Sequence, residues 1–394
     1  MIKDKSWRFN GNERKYVDEV LKNGFGASES GSMNEKLERK FAEMHNKKFA
    51  IAANSGTSTL HMALNAFGVG PGDEIIIPAL TVAMCGFTVW QCGATPVYAD
   101  VLRDTFLMDP EDVKRKITKK TKAIMPVHMY GNMCDMNKIM DLSKKYGLFV
   151  VEDCAECFLA RDDKGTKSGT IGHVGSWSFE NSKHLSTGDG GIVATDDEDL
   201  ATKMRQFGGV GFKNIGASTG KVRIDRNKFQ DPSYERHNMM AYNYRMPELC
   251  AAVGLAQCER IEEFVNLRIK MAEGYLEAIK DSELFVPQKV QPGFVNTYWT
   301  FAARFMGQNY GIKWQEFRKK YMEFRGDGIY AAHQTVNNEP CFRDNKIGYG
   351  DVPIAEMLQK ELMLFTTNQK NEEERTMQMQ AMEKTLGYFK NNKS

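Results

Sequence analysis

Up to about residue 210 the chain alternates short apolar runs with stretches of helical periodicity. Phe49 to Ala53, Glu74 to Ile77, Thr95 to Ala99, Ala123 to Val127, Phe149 to Val151 and Ile192 to Ala194 read as strands, and their nearly unbroken apolar character is that of strands covered on both faces. Between them Thr59 to Phe67 and Asn137 to Tyr146 read as helices, with Gly68 and Gly147 placed as C-terminal caps. The alternation predicts an α/β layer built on a largely parallel sheet. From Gly208 to Asn238 periodicity is lost and Gly, Lys, Arg and Asn accumulate, which predicts a long loop over a site or at a subunit contact. A long helix is expected from near Met246, with Pro247 suited to its first turn and an apolar stripe of Leu249, Val253, Ile261 and Phe264. The last helix has Asn371 as cap, Glu374 three residues on, and Met379, Met382, Leu386 and Phe389 at core spacing.

At 394 residues the chain exceeds one simple core, so two domains are expected: 1–245, and 246–394 opening with the helix near Met246. The uncharged run from Ile75 to Ala99 has membrane-spanning length, but Pro78, Thr81, Thr88, Gln91, Gly93 and Pro96 divide it into strand, loop, helix and strand. A net charge of +2 offers no broad basic field, so neither nucleic acid nor an anionic membrane is expected as a partner. Met1 to Lys5 lacks the apolar segment of a secretory signal, and the eight cysteines sit in apolar segments without the spacing of a disulfide scaffold. A cytoplasmic protein is expected. Cys154 and Cys157 form a C-x-x-C, but no second pair completes a tetrahedral metal site, so they read as buried thiols and no metal is expected.

Candidate chemistry gathers at three places. Asp153 follows an apolar strand, at the sheet end where open α/β folds collect ligand-binding groups. Lys183 lies in a small, polar turn closed by Gly188, Gly190 and Gly191. Asn54-Ser55-Gly56-Thr57-Ser58 follows a strand and opens a helix, so its amides and hydroxyls suit a phosphate. It lacks the Gly-Lys-Ser/Thr ending of a nucleotide P-loop, and no G-x-G-x-x-G follows the first strand. Pyridoxal phosphate needs a lysine to bond to, a carboxylate to keep its ring nitrogen protonated and a phosphate seat. Lys183, Asp153 and the Ser55–Thr57 turn fit those needs. Taken singly, each has a plainer reading: a solvated lysine, a capping acid, a capped turn.

These motifs resemble the DegT/DnrJ/EryC1/StrS family of sugar aminotransferases across nearly the whole chain. The matching segments include Asn54 to His61, Gly68 to Glu74, Gly93 to Val97, Pro126 to Gly131, Val151 to Asp153, Ser178-Phe179 with Lys183 and Gly188 to Gly191, and Tyr242 to Met246. The resemblance implies the aspartate-aminotransferase fold, type I of the pyridoxal-phosphate enzymes, with a large mixed-sheet domain and a smaller C-terminal α/β domain. It implies a homodimer with shared sites, and amino transfer from an amino acid, glutamate being expected, to a keto sugar that is usually nucleotide-linked. By position, Lys183 would bond to the cofactor and shuttle a proton, and Asp153 would pair with the ring nitrogen. Gly56, Thr57 and Ser178 would bind phosphate, Glu156 would lie near the phenolic oxygen, and Asn243 would come from the partner subunit. Tyr244 and Arg245 would lie near the shared site or pack the interface. Three positions depart from the family pattern. Val82 replaces an aromatic that commonly stacks on the ring, Glu156 stands where glutamine or histidine is frequent, and the segment of His333 does not reproduce the usual substrate histidine. A sugar dehydratase is the alternative, although such relatives carry histidine at the lysine position. A non-catalytic regulator on the same fold is the further alternative.

Overall fold

The computed structural model describes residues 6–25, 31–218 and 225–391; the expectation for Met1 to Lys5 lies outside them. The six predicted strands and one more form a seven-stranded sheet of β1 (Phe49–Ala53), β2 (Glu74–Pro78), β3 (Thr95–Ala99), β4 (Thr121–Ile124), β5 (Phe149–Asp153), β6 (Val174–Ser178) and β7 (Gly191–Thr195), in the order β1-β7-β6-β5-β4-β2-β3. Only β7 runs against its neighbours. β6 is the strand that the apolar pattern did not single out: Gly175 and the serines dilute it, and buried Trp177 supplies its anchor. The alternation along β1 sends Ile51 and Ala53 to one core and Ala50 and Ala52 to the other, as the two-residue period of a strand requires.

Three helices that follow strands cover the first face: α3 (Gly56–Ala66), α4 (Ala83–Gln91) and α7 (Glu198–Gly208). α5 (Pro110–Lys116) and α6 (Met136–Tyr146) also join that core, the latter closed by Gly147 in the left-handed conformation. The other face is covered by α1 (Glu13–Asn23), α2 (Met33–Met44) and α9 (Glu248–Glu259), through Val20, Leu37, Phe41, Ala251 and Leu255. α8 (Arg226–Gln230) is the single short helix in the described part of the expected loop.

The long helix predicted from Met246 is two helices, α9 and α10 (Ile261–Ile279), parted where Arg260 leaves helical geometry at φ −117° and ψ 6°. Ile261 and Val265 pack with the N-terminal helices, whereas Met271, Tyr275 and Ile279 enter a separate core. That second core lies against an antiparallel sheet of β8 (Phe285–Pro287), β9 (Thr300–Phe305), β10 (Tyr330–Ala331) and β11 (Leu362–Thr366), ordered β10-β11-β9-β8. α11 (Trp314–Glu323) and α14 (Glu372–Asn391) pack on this core, whereas α12 (Pro340–Arg343) and α13 (Pro353–Glu361) join the first core through Phe342, Ala355 and Leu358. The methionine stripe of α14 does pack inward: Met382 is fully buried and Met379, Leu386 and Phe389 lie against the second core. Asn371 caps this helix by accepting the Glu374 N–H at 2.9 Å. No described helix is long and apolar enough to cross a membrane.

Candidate active site

A cavity of about 800 Å³ opens between the C-terminal ends of the parallel strands and the edge of the small sheet. It is lined by Gly56, Thr57, Asp153, Glu156, Ser178 and Lys183, six residues singled out from the sequence. Asn243, Tyr244 and Arg245 lie outside it; Asn243 is exposed and its Oδ1 accepts the Arg245 Nε–H at 3.0 Å. Tyr244 instead bonds His61 at 2.9 Å and stacks on Tyr242. Val82 and His333 both line the cavity, and no described residue of the segment from Gly208 to Asn238 does.

The residues expected to seat a phosphate lie where α3 begins. Ser55 caps it, accepting the Ser58 N–H at 3.0 Å, and the Thr59 N–H bonds Ser55 O. Among the described residues the Gly56 and Thr57 amides have no partner, which leaves two donors at the positive end of a helix. Ser178 ends β6 beside them: a Cβ on Gly56 would sit 2.7 Å from the Ser178 Cβ. Only glycine lets the two elements meet there.

Asp153 is buried at the end of β5, and burial pushes its carboxyl above the usual range. The Ala155 N–H at 2.9 Å and the Cys85 thiol at 3.3 Å pull in the opposite direction, as does the Lys183 charge. Neither Ala155 nor Cys85 brings a positive charge into contact with the carboxylate, and a protonated pyridine nitrogen would do so. Lys183 is also buried, with Nζ 3.4 Å from Glu156 Oε1 and 4.3 Å from the Trp299 ring centroid. Glu156 is aimed by its other oxygen, which accepts the Tyr130 N–H at 3.1 Å. Tyr130 holds φ at 65°, an unusual conformation for a bulky residue, and Gly131 beside it cannot carry a Cβ, which would fall 2.3 Å from Tyr298 N.

Two buried arginines grip the lysine turn from behind. Arg8 donates to the carbonyls of Asn181 at 2.9 Å, Lys183 at 2.8 Å and His184 at 3.2 Å. Arg268 donates to those of Ser182 at 3.0 Å and Lys183 at 3.4 Å. Burial, with the Arg8 charge nearby, brings Arg268 down to about 9. Arg8, Arg268, Trp299 and Tyr130 were not found from the sequence, since their bearing on the lysine appears only when distant elements pack. His184 faces away, bonded to Thr297 O at 2.8 Å. The buried group His128, Glu152 and Cys154 has metal-ligand spacing. Glu152 however accepts from His128 and from the Gly169, Ile171 and Gly172 amides, and His128 Nδ1 accepts the Cys134 N–H. That arrangement is a brace under the site. Cys154 and Cys157 are buried free thiols.

With this geometry in place, residues 8–381 match the DegT/DnrJ/EryC1/StrS aminotransferase family. The chain belongs to that family. This family member is 37% identical over 334 residues to a GDP-perosamine synthase of Vibrio cholerae, covering 84% of this chain and 82% of that one. It is 40% identical over 269 residues to a GDP-perosamine synthase of Caulobacter vibrioides, covering 68% and 67%. Among solved structures, an aminotransferase from Psychrobacter cryohalolentis superposes with a TM-score of 0.85 at 28% identity, covering 96% of each chain. The chain is thus a pyridoxal-phosphate-dependent sugar aminotransferase of aminosugar biosynthesis with the aspartate-aminotransferase fold. The cavity suits that cofactor: unpartnered helix amides for its phosphate, a buried acid for its ring nitrogen and a buried lysine for its carbonyl carbon.

Proposed function

We propose that this aminotransferase moves an amino group from L-glutamate to the keto carbon of a GDP-linked sugar, acting as a cytoplasmic homodimer. The observation that carries the reading is the single cavity holding Lys183, Asp153 and the amides that open α3. The GDP carrier is supported by the relatives' designation as GDP-perosamine synthases. Free thiols on all eight cysteines suit a reducing compartment.

When bound, pyridoxal phosphate supplies the electron sink that lets the donor carbon release its proton. Gly56, Thr57 and Ser178 would hold the phosphate, and Asp153 would keep the proton on the ring nitrogen. Lys183 Nζ would hold the cofactor at its carbonyl carbon, a bond that forms with loss of water, and once freed would carry a proton as the acid–base group of the site. Glu156 sits beside that amine and accepts its hydrogen bonds. Asn243, outside the cavity of its own chain, reaches the site of a second copy. Residues 1–245 form the cofactor-holding body and 246–394 the smaller one, with α9 and the start of α10 returning to pack on the first.

Purified protein given L-glutamate and a panel of GDP-, UDP- and dTDP-linked 3-keto and 4-keto sugars is expected to aminate a GDP-linked sugar, read as a mass change. Turnover confined to UDP or dTDP sugars would overturn the carrier. A deoxygenated keto product without any aminated one would replace transamination by dehydration.

A further inference from the structure

The surroundings of the Lys183 amine are more specific than a reactive lysine needs. Nζ lies between Glu156 Oε1 at 3.4 Å and the face of the Trp299 indole, 4.3 Å to the centroid. We infer that Glu156 and Trp299 form a resting cradle for the Lys183 ammonium, occupied whenever the lysine is not bonded to the cofactor. The inference rests on the assignment of Lys183 as the bonding lysine.

Both walls of the cradle are fixed. The indole Nε1 donates to Ser182 O at 3.0 Å, and the Trp299 carbonyl accepts Arg268 Nη1 at 2.7 Å. Arg268 also bonds Thr367 Oγ1 at 3.0 Å and Ser182 O at 3.0 Å, so ring, lysine turn and guanidinium move as one unit. Glu156 is held by the Tyr130 amide. Val82, the aliphatic residue at the family's stacking position, offers the amine no ring face, so Trp299 is the aromatic surface at Nζ.

A cradle for the charged form matters because the lysine carries a charge during the reaction. A proton released from the donor carbon, its electron pair left behind on that carbon's side, would be taken up by Nζ, which would pass from NH2 to NH3+. The same proton then leaves Nζ for the cofactor's reactive carbon, so the lysine ends as it began. A carboxylate and an indole face both favour the ammonium and keep it at one place between the two transfers. Other groups bear on Nζ: Asp153 from β5, the neighbouring His184 ring, which burial keeps neutral, and the charges of Arg8 and Arg268 behind the turn. The arginines oppose the ammonium, which gives the cradle something to offset.

The test uses full-length protein loaded with pyridoxamine phosphate, a state in which the lysine is free. Lys183 acetylation by acetic anhydride is followed against pH by peptide mass spectrometry. In Trp299→Leu the profile should move to lower pH by about one unit, a tenfold change in the protonation equilibrium, as expected for a desolvated cation–π contact. Trp299→Phe, which keeps a ring face, should move by less than half as much, and Glu156→Gln should also move downward. Trp299→Met replaces the leucine variant if that one fails to fold. An unmoved profile, or faster labelling at every pH with no displacement, means that the indole only restricts access and overturns the cradle. Labelling of Lys183 in the pyridoxal phosphate form as fast as in the pyridoxamine phosphate form overturns the assignment of Lys183 itself, separately from the cradle.

Discussion

Gly56 has no side chain because Ser178 occupies the space where one would go. In Gly56→Ala the methyl must push β6 and the start of α3 apart, and the two free amides lose their alignment. Cofactor affinity should fall by about tenfold or more, since roughly 1–2 kcal/mol of anion binding at a helix end is at stake, and the melting temperature of cofactor-free protein should fall as well, because overpacking costs about 1–3 kcal/mol. Titration with pyridoxal phosphate by absorbance checks this. His45 makes a different kind of test. Its Nδ1 bonds Phe41 O at 3.0 Å, and its buried Nε2 has no partner among the described residues. Burial lowers it to about 4. The neutral ring is therefore stable above the unfolded value of about 6.5, and stability is lost as pH falls from there toward 4, by about 3 kcal/mol at most. Denaturant titrations from pH 7 to 4 should show this slope, and His45→Gln should flatten it.

At the scale of elements, β1, α2 and α7 are locked by one buried ion pair. Arg205 on α7 meets Glu38 on α2 through two bonds of 3.0 and 2.9 Å, and both reach β1, Glu38 through the Ala52 N–H and Arg205 through Ala50 O. Arg205→Met strands the Glu38 carboxylate and should cost about 3–5 kcal/mol in urea unfolding. The double variant with Glu38→Gln should recover part of that loss. Neither partner was visible in the apolar pattern, although the elements carrying them were. Strands with unbroken apolar runs, such as Ile75 to Ile77, were legible because burial on both faces writes itself into composition. β6 was not, because Gly175 serves close packing against Gly169 and Trp177, and Ser176 a hydrogen bond to Thr59 at 2.8 Å. The break at Arg260 was hidden too, since the apolar stripe continues across it while its two halves serve different cores.

For the whole molecule, the site was readable where chemistry sits at a strand end and unreadable where it arrives from elsewhere. Asp153 and Lys183 belong to β5 and to the β6–β7 turn, and local pattern marks both. Trp299 opens onto the small sheet, and nothing in its own neighbourhood connects it to a lysine so far back in the chain. The shared-site reading makes a quantitative forecast at this scale. Lys183→Ala and Asn243→Ala proteins should each be inactive. Unfolded together and refolded as equal mixtures, they should regain about a quarter of wild-type activity, because half the dimers are mixed and each of those has one intact site. No recovery from two inactive proteins would assign Asn243 to the site of its own chain, and an active Asn243→Ala protein would place it outside catalysis.

The grip of Arg8 ties the outermost described turn of the chain, Ser6–Phe9, to a lysine 175 positions away. The same turn is pinned by Gln257, whose side chain donates to Arg8 O at 2.6 Å. Trimming or tagging this end is therefore not neutral handling. A fusion partner that lifts the turn from its seat, or a protease that cuts behind it, would release the carbonyls that shape the lysine turn, disarming the enzyme while its two sheets stayed intact.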